Sequence, residues 1–403
     1  MTSPNESPRE SSLEALLSAQ ARLMPVAVRP ARIMVRGSGS YLWDHTGARY
    51  LDFLQGWAVN ALGHAPPELA EALSAQAQTL ITASPAFHNA PQLRLASELA
   101  RAARLSQVHF ANSGAEANEA ALKLARKWGK LERGGAFEII TTEGSFHGRT
   151  LALMAASGKP GWDALFPPGM PGFVKVPYGD ARAVAARIGP NTVAVMVEPI
   201  QGEAGVVVPP EGYLRELRRL CDERNLLLIC DEVQTGMGRT GTLFACEQEA
   251  VEPDILTLGK GLGGGVPVSA VLSSARASCF APGDQGGTYN GNPLMVAVAS
   301  RVFDIVSSAA FLARVRDAGE TLRERLARLA KTHGCALRGR GLLWALVLPS
   351  DRAESIVRTC FESGLLINAA RPNILRFMPS LRVTDSEIDE LIPLLESALR
   401  AAF

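Results

Sequence analysis

Four short apolar runs recur through the middle of the chain: FEIITTEG (137–144), TVAVMVEP (192–199), NLLLICDEV (225–233) and PDILTLGK (253–260). Helical patterns such as YLRELRRLCDER (213–224) lie between several of them. Runs this short and this apolar read as strands covered on both faces. Strand, helix, strand in repetition means a mostly parallel sheet with helices on each side, so the fold class is α/β. In such sheets ligands sit beyond the carboxyl ends of the strands. The polar residues that close each apolar run are therefore the first candidates for a site.

The flanks read differently. MVRGSGSYLWDHTGARYLDF (34–53) predicts strand, turn, strand, with Gly37 and Gly39 in the first turn and Gly47 in the second. Toward the C-terminus, AFLARVRDAGETLRERLARLAKTHG predicts a long amphipathic helix. RGRGLLWALVLP and LRFMPSLRV each predict one strand, ESIVRTCFESG a helix ended by Gly364, and DSEIDELIPLLESALRAAF a closing helix. A chain of 403 residues accommodates a large domain, 61–292, and a smaller α+β domain, 293–403. Residues 1–10 read as a disordered tail, and SSLEALLSAQARL after them as a short capped helix.

Charge excludes some partners. Lys and Arg total 41 against 40 Asp and Glu, which gives neither nucleic acid nor an anionic membrane a basic face to hold. No run of about 18 apolar residues would span a bilayer. The six cysteines, Cys221, Cys230, Cys246, Cys279, Cys335 and Cys360, form no C-x-x-C pair, so no metal site is expected. Reduced core cysteines fit a cytoplasmic chain without a secretory signal.

Three stretches carry polar residues where the sheet argument places them. Asp231 closes an apolar run, either as a structural cap or as partner to a cationic ligand group. FANSGAEANEAALKLARKWG (110–129) is a turn feeding a helix whose first turn is Ser113-Gly114-Ala115. Ala117, Ala121, Leu124, Ala125 and Trp128 would form its buried stripe. Its N-terminus is either an anion site or an ordinary capped end. EGSFHGRT (143–150) sets Phe146, His147 and Arg149 in a tight loop. That suits a planar anionic ligand, and equally a loop pinned by one aromatic.

Lys260 follows an apolar run and precedes the glycines of GLGGG, which would let the backbone turn tightly. A phosphate-loop lysine needs glycine at position 254 and Ser or Thr at 261, where this chain has Asp254 and Gly261. A buried lysine with a lowered pKa is a nucleophilic amine. An amine, a phosphate turn, an aromatic and a strand-end acid together suit pyridoxal 5′-phosphate, whose usual protein partners are a Schiff-base lysine and an acid at the ring nitrogen.

With these residues in view, the sequence resembles the class III (ω-amino acid) aminotransferases of fold type I. The motifs are GSYLWDHTGARYLDF, AVNALGH, NSGAEANEAALKLAR, FHGRT, EPIQGEAGV, CDEVQTGMGRTG, LGKGLGGG, GGTYNGNPL and LRFMPSL, from about residue 25 to the C-terminus. The resemblance implies that Lys260 and Asp231 are catalytic, with Lys260 bonded to the cofactor and Asp231 at its ring nitrogen. It implies that Val233 and Phe146 face the ring, Gln234 its 3-hydroxyl, and Ser113, Gly114 and Ala115 its phosphate. Thr288, with Gly287 beside it, would reach the site of a partner subunit, so a homodimer is implied. Arg149 and Arg376 would take substrate carboxylates, and Glu203 would mask Arg376 while the ω-amine donor is bound. Segment 11–60 would pack with the small domain. The implied reaction moves the ω-amino group of N2-acetylornithine to 2-oxoglutarate. 4-Aminobutyrate, ornithine, succinylated donors and diamines are the alternatives, and His88, Tyr289 and Asn290 depart from the family pattern where donor choice is expected to be set.

Overall fold

The computed structural model describes residues 19–402. The expected tail and residues 11–18 of the short helix after it lie outside the described residues; of the rest of that helix, Gln20–Arg22 form a single 3-10 turn.

The N-terminal region is three strands rather than two: β1 (Met34–Ser38), β2 (Tyr41–Asp44) and β3 (Arg49–Asp52). Gly39 and Gly47 make the turns, but Gly37 lies within β1, where His64 packs against its bare Cα.

The central sheet holds β4 (Gln107–Ala111), β5 (Glu138–Thr142), β6 (Phe173–Val176), β7 (Thr192–Val197), β8 (Leu227–Asp231), β9 (Ile255–Leu258) and β10 (Ser269–Ser273). Their order is β4-β10-β9-β8-β7-β5-β6. Only β10 runs against its neighbours. All four apolar runs named above are strands here, and β7, β8 and β9 are buried along their whole length. Helices on both faces exclude water, which is why these strands show no alternation of polar and apolar residues. The Gly114–Glu132 helix lies against the sheet with Ala117, Ala121, Leu124, Ala125 and Trp128 all buried.

The C-terminal sheet is antiparallel, in the order β11 (Ala336–Arg340), β12 (Leu343–Val347), then β15 (Ile374–Phe377) and β14 (Asn368–Arg371). RGRGLLWALVLP is thus not one strand: it turns at Gly341, where φ is +56°. LRFMPSLRV is extended only as far as Phe377. Between β12 and β14, β13 (Leu365–Leu366) leaves this sheet and pairs in parallel with β3, joining the two ends of the chain.

No single helix among the described residues is long and apolar enough to cross a membrane. The bent pair Pro293–Val306 and Ala309–Thr332 meets the composition test together, but Val296, Val302, Leu322 and Leu326 are spent in the protein core.

Candidate active site

Five parallel strands, β4, β5, β7, β8 and β9, end on the same side of the sheet. Their carboxyl ends deliver Gly114 and Ala115, the Phe146–Arg149 loop, Glu198 and Glu203, Asp231 with Val233 and Gln234, and Lys260 to one cavity of about 260 Å³. Asn118 and Gly148 complete its lining.

Lys260 sits at φ +41°, in the left-handed region that non-glycine residues rarely adopt. The glycine-rich segment takes up positive φ at Gly264 (+59°) and Gly265 (+132°), and the lysine itself is left-handed as well. Strain of this kind persists where the surroundings over-determine it, typically at functional sites. Burial lowers the Lys260 pKa against the opposing charge of Glu203, favouring the neutral amine.

Asp231 is held on every side. Asn118 Nδ2 donates to its Oδ2 at 2.8 Å, and His147 Nδ1 lies 2.7 Å from the same oxygen. The Val233 N–H donates to Oδ1, and the Thr257 hydroxyl oxygen lies 3.3 Å from it. That hydroxyl donates to Asn118 Oδ1 at 2.7 Å, fixing the amide, and Asn118 reaches the His147 carbonyl. Burial works to lower the His147 pKa, but the hydrogen bond and charge of Asp231 outweigh it and raise it. Sequence reading gave no role to His147 or Asn118. Asn118 lies four residues after Gly114, one turn along the same helix face, which was the available signal.

Glu198 is a second buried acid. Burial pushes its pKa up to about 8, with His147 opposing and Asp231 adding to the rise. Its Oε2 accepts the Phe146 N–H at 2.9 Å and so fixes the loop that carries the aromatic.

Ser113 caps the Gly114–Glu132 helix: its Oγ accepts the Glu116 N–H, and Glu116 accepts the Ser113 N–H in return. Ser113 does not line the cavity. The N–H groups of Gly114 and Ala115 belong to the first turn, where no helical carbonyl is available. A Cβ on Gly114 would stand 2.6 Å from Val233 Cγ1, so only glycine allows the helix end this close to Val233.

Arg376, on β15, is fully buried. Its Nη1 donates to Glu203 Oε1 at 2.7 Å, to the Gly202 carbonyl at 2.9 Å and to Gln234 Oε1 at 3.3 Å, while Nε reaches Asn368. Its Nη2 has no partner among the described residues. Burial opposes ionisation of Glu203, but Arg376 and Lys260 outweigh it and hold its pKa at about 2. Arg149 is exposed at the cavity wall, and its guanidinium lies 5.9 Å from the Phe146 ring centroid. Thr288 and Gly287 are not brought to this cavity; with Asn290 they line another, of about 220 Å³. His88 and Tyr289 are exposed and line neither Lys260's cavity nor its floor.

These residues fit a phosphate-bearing pyridine aldehyde. The helix end offers unpaired N–H groups to a phosphate. Val233 and Phe146 offer apolar surfaces, Asp231 an acid fixed by three donors, and Lys260 a buried amine.

Similar proteins agree with that fit. The family model described as aminotransferase class-III matches residues 23–399. Acetylornithine aminotransferase 2 of Bordetella bronchiseptica is 52% identical over 383 residues, covering 94% of this chain and 97% of that one. An acetylornithine aminotransferase of Ralstonia nicotianae is 53% identical over 387 residues, with the same coverage. Among solved structures, the ornithine aminotransferase of Toxoplasma gondii superposes with a TM-score of 0.92 at 35% identity, covering 98% of this chain and 96% of that one. The N-acetylornithine aminotransferase of Stenotrophomonas maltophilia does so with 0.83 at 37% identity, covering 96% and 98%. The chain belongs to the class-III aminotransferases, of fold type I, with pyridoxal 5′-phosphate as cofactor.

Proposed function

We propose that the chain transfers the ω-amino group of N2-acetyl-L-ornithine to 2-oxoglutarate, giving N-acetylglutamate 5-semialdehyde and glutamate, as in arginine biosynthesis. The observation that carries this reading is the pair that Glu203, in the cavity lining, makes with the buried Arg376 behind it. An ω-amine donor brings no carboxylate next to its reacting carbon, so Arg376 must be masked while it binds. 2-Oxoglutarate does bring one, and Glu203, 27% exposed, has room to swing away and release Arg376. Likeness to acetylornithine aminotransferases over almost the whole chain supports the choice of donor.

When bound, the cofactor supplies an aldehyde that takes up the donor's amine and a ring that accepts the electrons released at the reacting carbon. Lys260 would hold the cofactor through its amine, and that amine, kept neutral by burial, would move the proton at the substrate's reacting carbon. Asp231 would keep a proton on the ring nitrogen, and His147 and Asn118 orient Asp231. Gly114 and Ala115 hold the phosphate through their N–H groups. Phe146 and Val233 would flank the ring and exclude water, and Gln234 would face its 3-hydroxyl. Arg149 takes the carboxylate at the far end of the substrate.

The active unit is a homodimer in this reading. Thr288 and Gly287 lie away from their own chain's cavity, which supports their reaching a partner's phosphate. Six free cysteines support a reducing, cytoplasmic setting. Specificity constants for N2-acetylornithine, ornithine and 4-aminobutyrate test the donor. Preference for N2-acetylornithine is expected, and preference for 4-aminobutyrate overturns it.

A further inference from the structure

Trp162 is buried and carries two cations. Arg149 Cζ lies 5.4 Å from its ring centroid and Lys159 Nζ 5.1 Å. The indole meets the Phe146 ring edge-on, with 5.5 Å between centroids, and Phe146 lines the cavity that holds Lys260. Lys159 thus stands behind Trp162 and Phe146 at the edge of the site, on the same indole as Arg149, which lines the cavity.

The acids nearby are already engaged. Asp163, next in sequence to Trp162, pairs with Lys175 at 2.9 Å, and Glu203 pairs with Arg376 at 2.7 Å. Besides Glu203, the charged groups that act on Lys159 are Arg149 and Arg371, both cations. Burial, then Arg149 and Arg371, lower the Lys159 pKa against Glu203. Two like charges gathered on one indole repel each other, and an anion held between or beside them offsets that cost. Cation–π contact fixes both heads on the ring without neutralising either.

We propose that Lys159 is a specificity-determining residue: with Arg149 it forms a two-cation rim that selects substrates carrying a carboxylate at the end opposite the reacting amine or oxo group. This rests on the amine-transfer reading of the cavity, and adds to Arg149 a second group that reads the same end of the substrate.

The test compares N2-acetylornithine with N-acetylputrescine, the same donor without its carboxylate, in the wild-type holoenzyme, Lys159→Met and Lys159→Arg. Methionine keeps an unbranched stem on the indole and removes the charge; arginine keeps the charge. Lys159→Met is expected to raise KM for N2-acetylornithine about fivefold, the scale of one partly exposed charge contact, and to leave KM for N-acetylputrescine within about twofold. Lys159→Arg should restore the wild-type ratio. Calorimetry with glutarate, which needs no turnover, should show about fivefold weaker binding in Lys159→Met and recovery in Lys159→Arg. Equal rises for both donors would assign Lys159 to packing on Trp162 and overturn the proposal, as would no change for either. If the wild type fails to turn over N2-acetylornithine while glutarate binding follows the charge at position 159, the donor assignment falls and the rim stands.

Discussion

His147 Nδ1 lies 2.7 Å from Asp231 Oδ2, and neither side chain is more than 3% exposed. The two residues come from different strand ends, β5 and β8, and meet beneath the cavity. A carboxylate buried this deeply needs partners that hold both its charge and its direction. His147 and Asn118 share the Oδ2 contact, leaving the orientation of Asp231 fixed before any cofactor arrives.

His147→Gln should therefore lower kcat more than it changes KM, by about tenfold if the lost orientation is worth about 1.4 kcal/mol at the transition state. A stability measurement adds a sign. The folded-state pKa of His147 is raised, so its pairing stabilises fully below the unfolded value and is lost as pH rises through the folded one. The Tm gap between wild type and His147→Gln, measured without cofactor, should be larger at pH 6 than at pH 9. A gap that widens with pH would mean that His147 is held neutral.

Gly114 and Val233 make a second pair whose coupling is measurable. Gly114→Ala puts a Cβ 2.6 Å from Val233 Cγ1, closer than carbon atoms pack, so the helix end must retreat from the site. Cofactor affinity, followed by fluorescence titration, should fall about tenfold or more. Val233→Ala in the same chain removes the obstructing methyl groups and should recover much of the loss, a non-additivity expected of residues in contact. Additive losses would show that Gly114 is needed for another reason.

How much of this was legible depended on the range of the interaction. The buried stripe Ala117, Ala121, Leu124, Ala125 and Trp128 follows from a 3.6-residue period, and Asp231 and Lys260 stand out as polar residues closing apolar runs. Local pattern sufficed for these. The contacts of His147 and Asn118 with Asp231 span 84 and 113 residues and exist only because the strand order sets β5 one strand beyond β7 from β8, and brings the helix after β4 over the other side of β8. No local pattern encodes that. The turn at Gly341 was hidden for a different reason: the apolar run LLWALVL directly after it reads as continuous with what precedes. Nor did local sequence show that the left-handed backbone in GKGLGGG falls on Lys260 as well as on its glycines.

That backbone gives a prediction separable from chemistry. Lys260→Ala and Lys260→Gly should both lose turnover, since neither offers an amine. They should differ in stability. Alanine keeps a Cβ that is unfavourable at φ +41°, whereas glycine adopts this region freely. Lys260→Gly should then be the more stable of the two by about 1 kcal/mol in denaturant unfolding. A more stable alanine variant would show that the strain is not expressed in solution.

Glu203→Ala isolates the masking step. With the carboxylate gone, Arg376 keeps Gln234, Gly202 and Asn368 but no charge partner, and stands open to a substrate carboxylate at all times. An ω-amine donor then places its reacting carbon beside an unmasked buried cation and gains nothing from it. The half-reaction with the ω-amine donor should slow while that with glutamate speeds up, shifting their ratio about tenfold or more toward glutamate. The pH dependence of the wild-type ratio follows from Glu203 being held at about 2. A lowered acid contributes its pairing above the unfolded value and loses it only as pH falls toward 2, so the mask stays charged from pH 6 to 9. The contribution of Glu203 to the donor-to-glutamate ratio should accordingly be flat across that range in stopped-flow half-reactions. A ratio that follows a titration between pH 6 and 9 in the wild type, and loses it in Glu203→Ala, would place the ionisation of Glu203 far above 2 and contradict the tight pairing with Arg376.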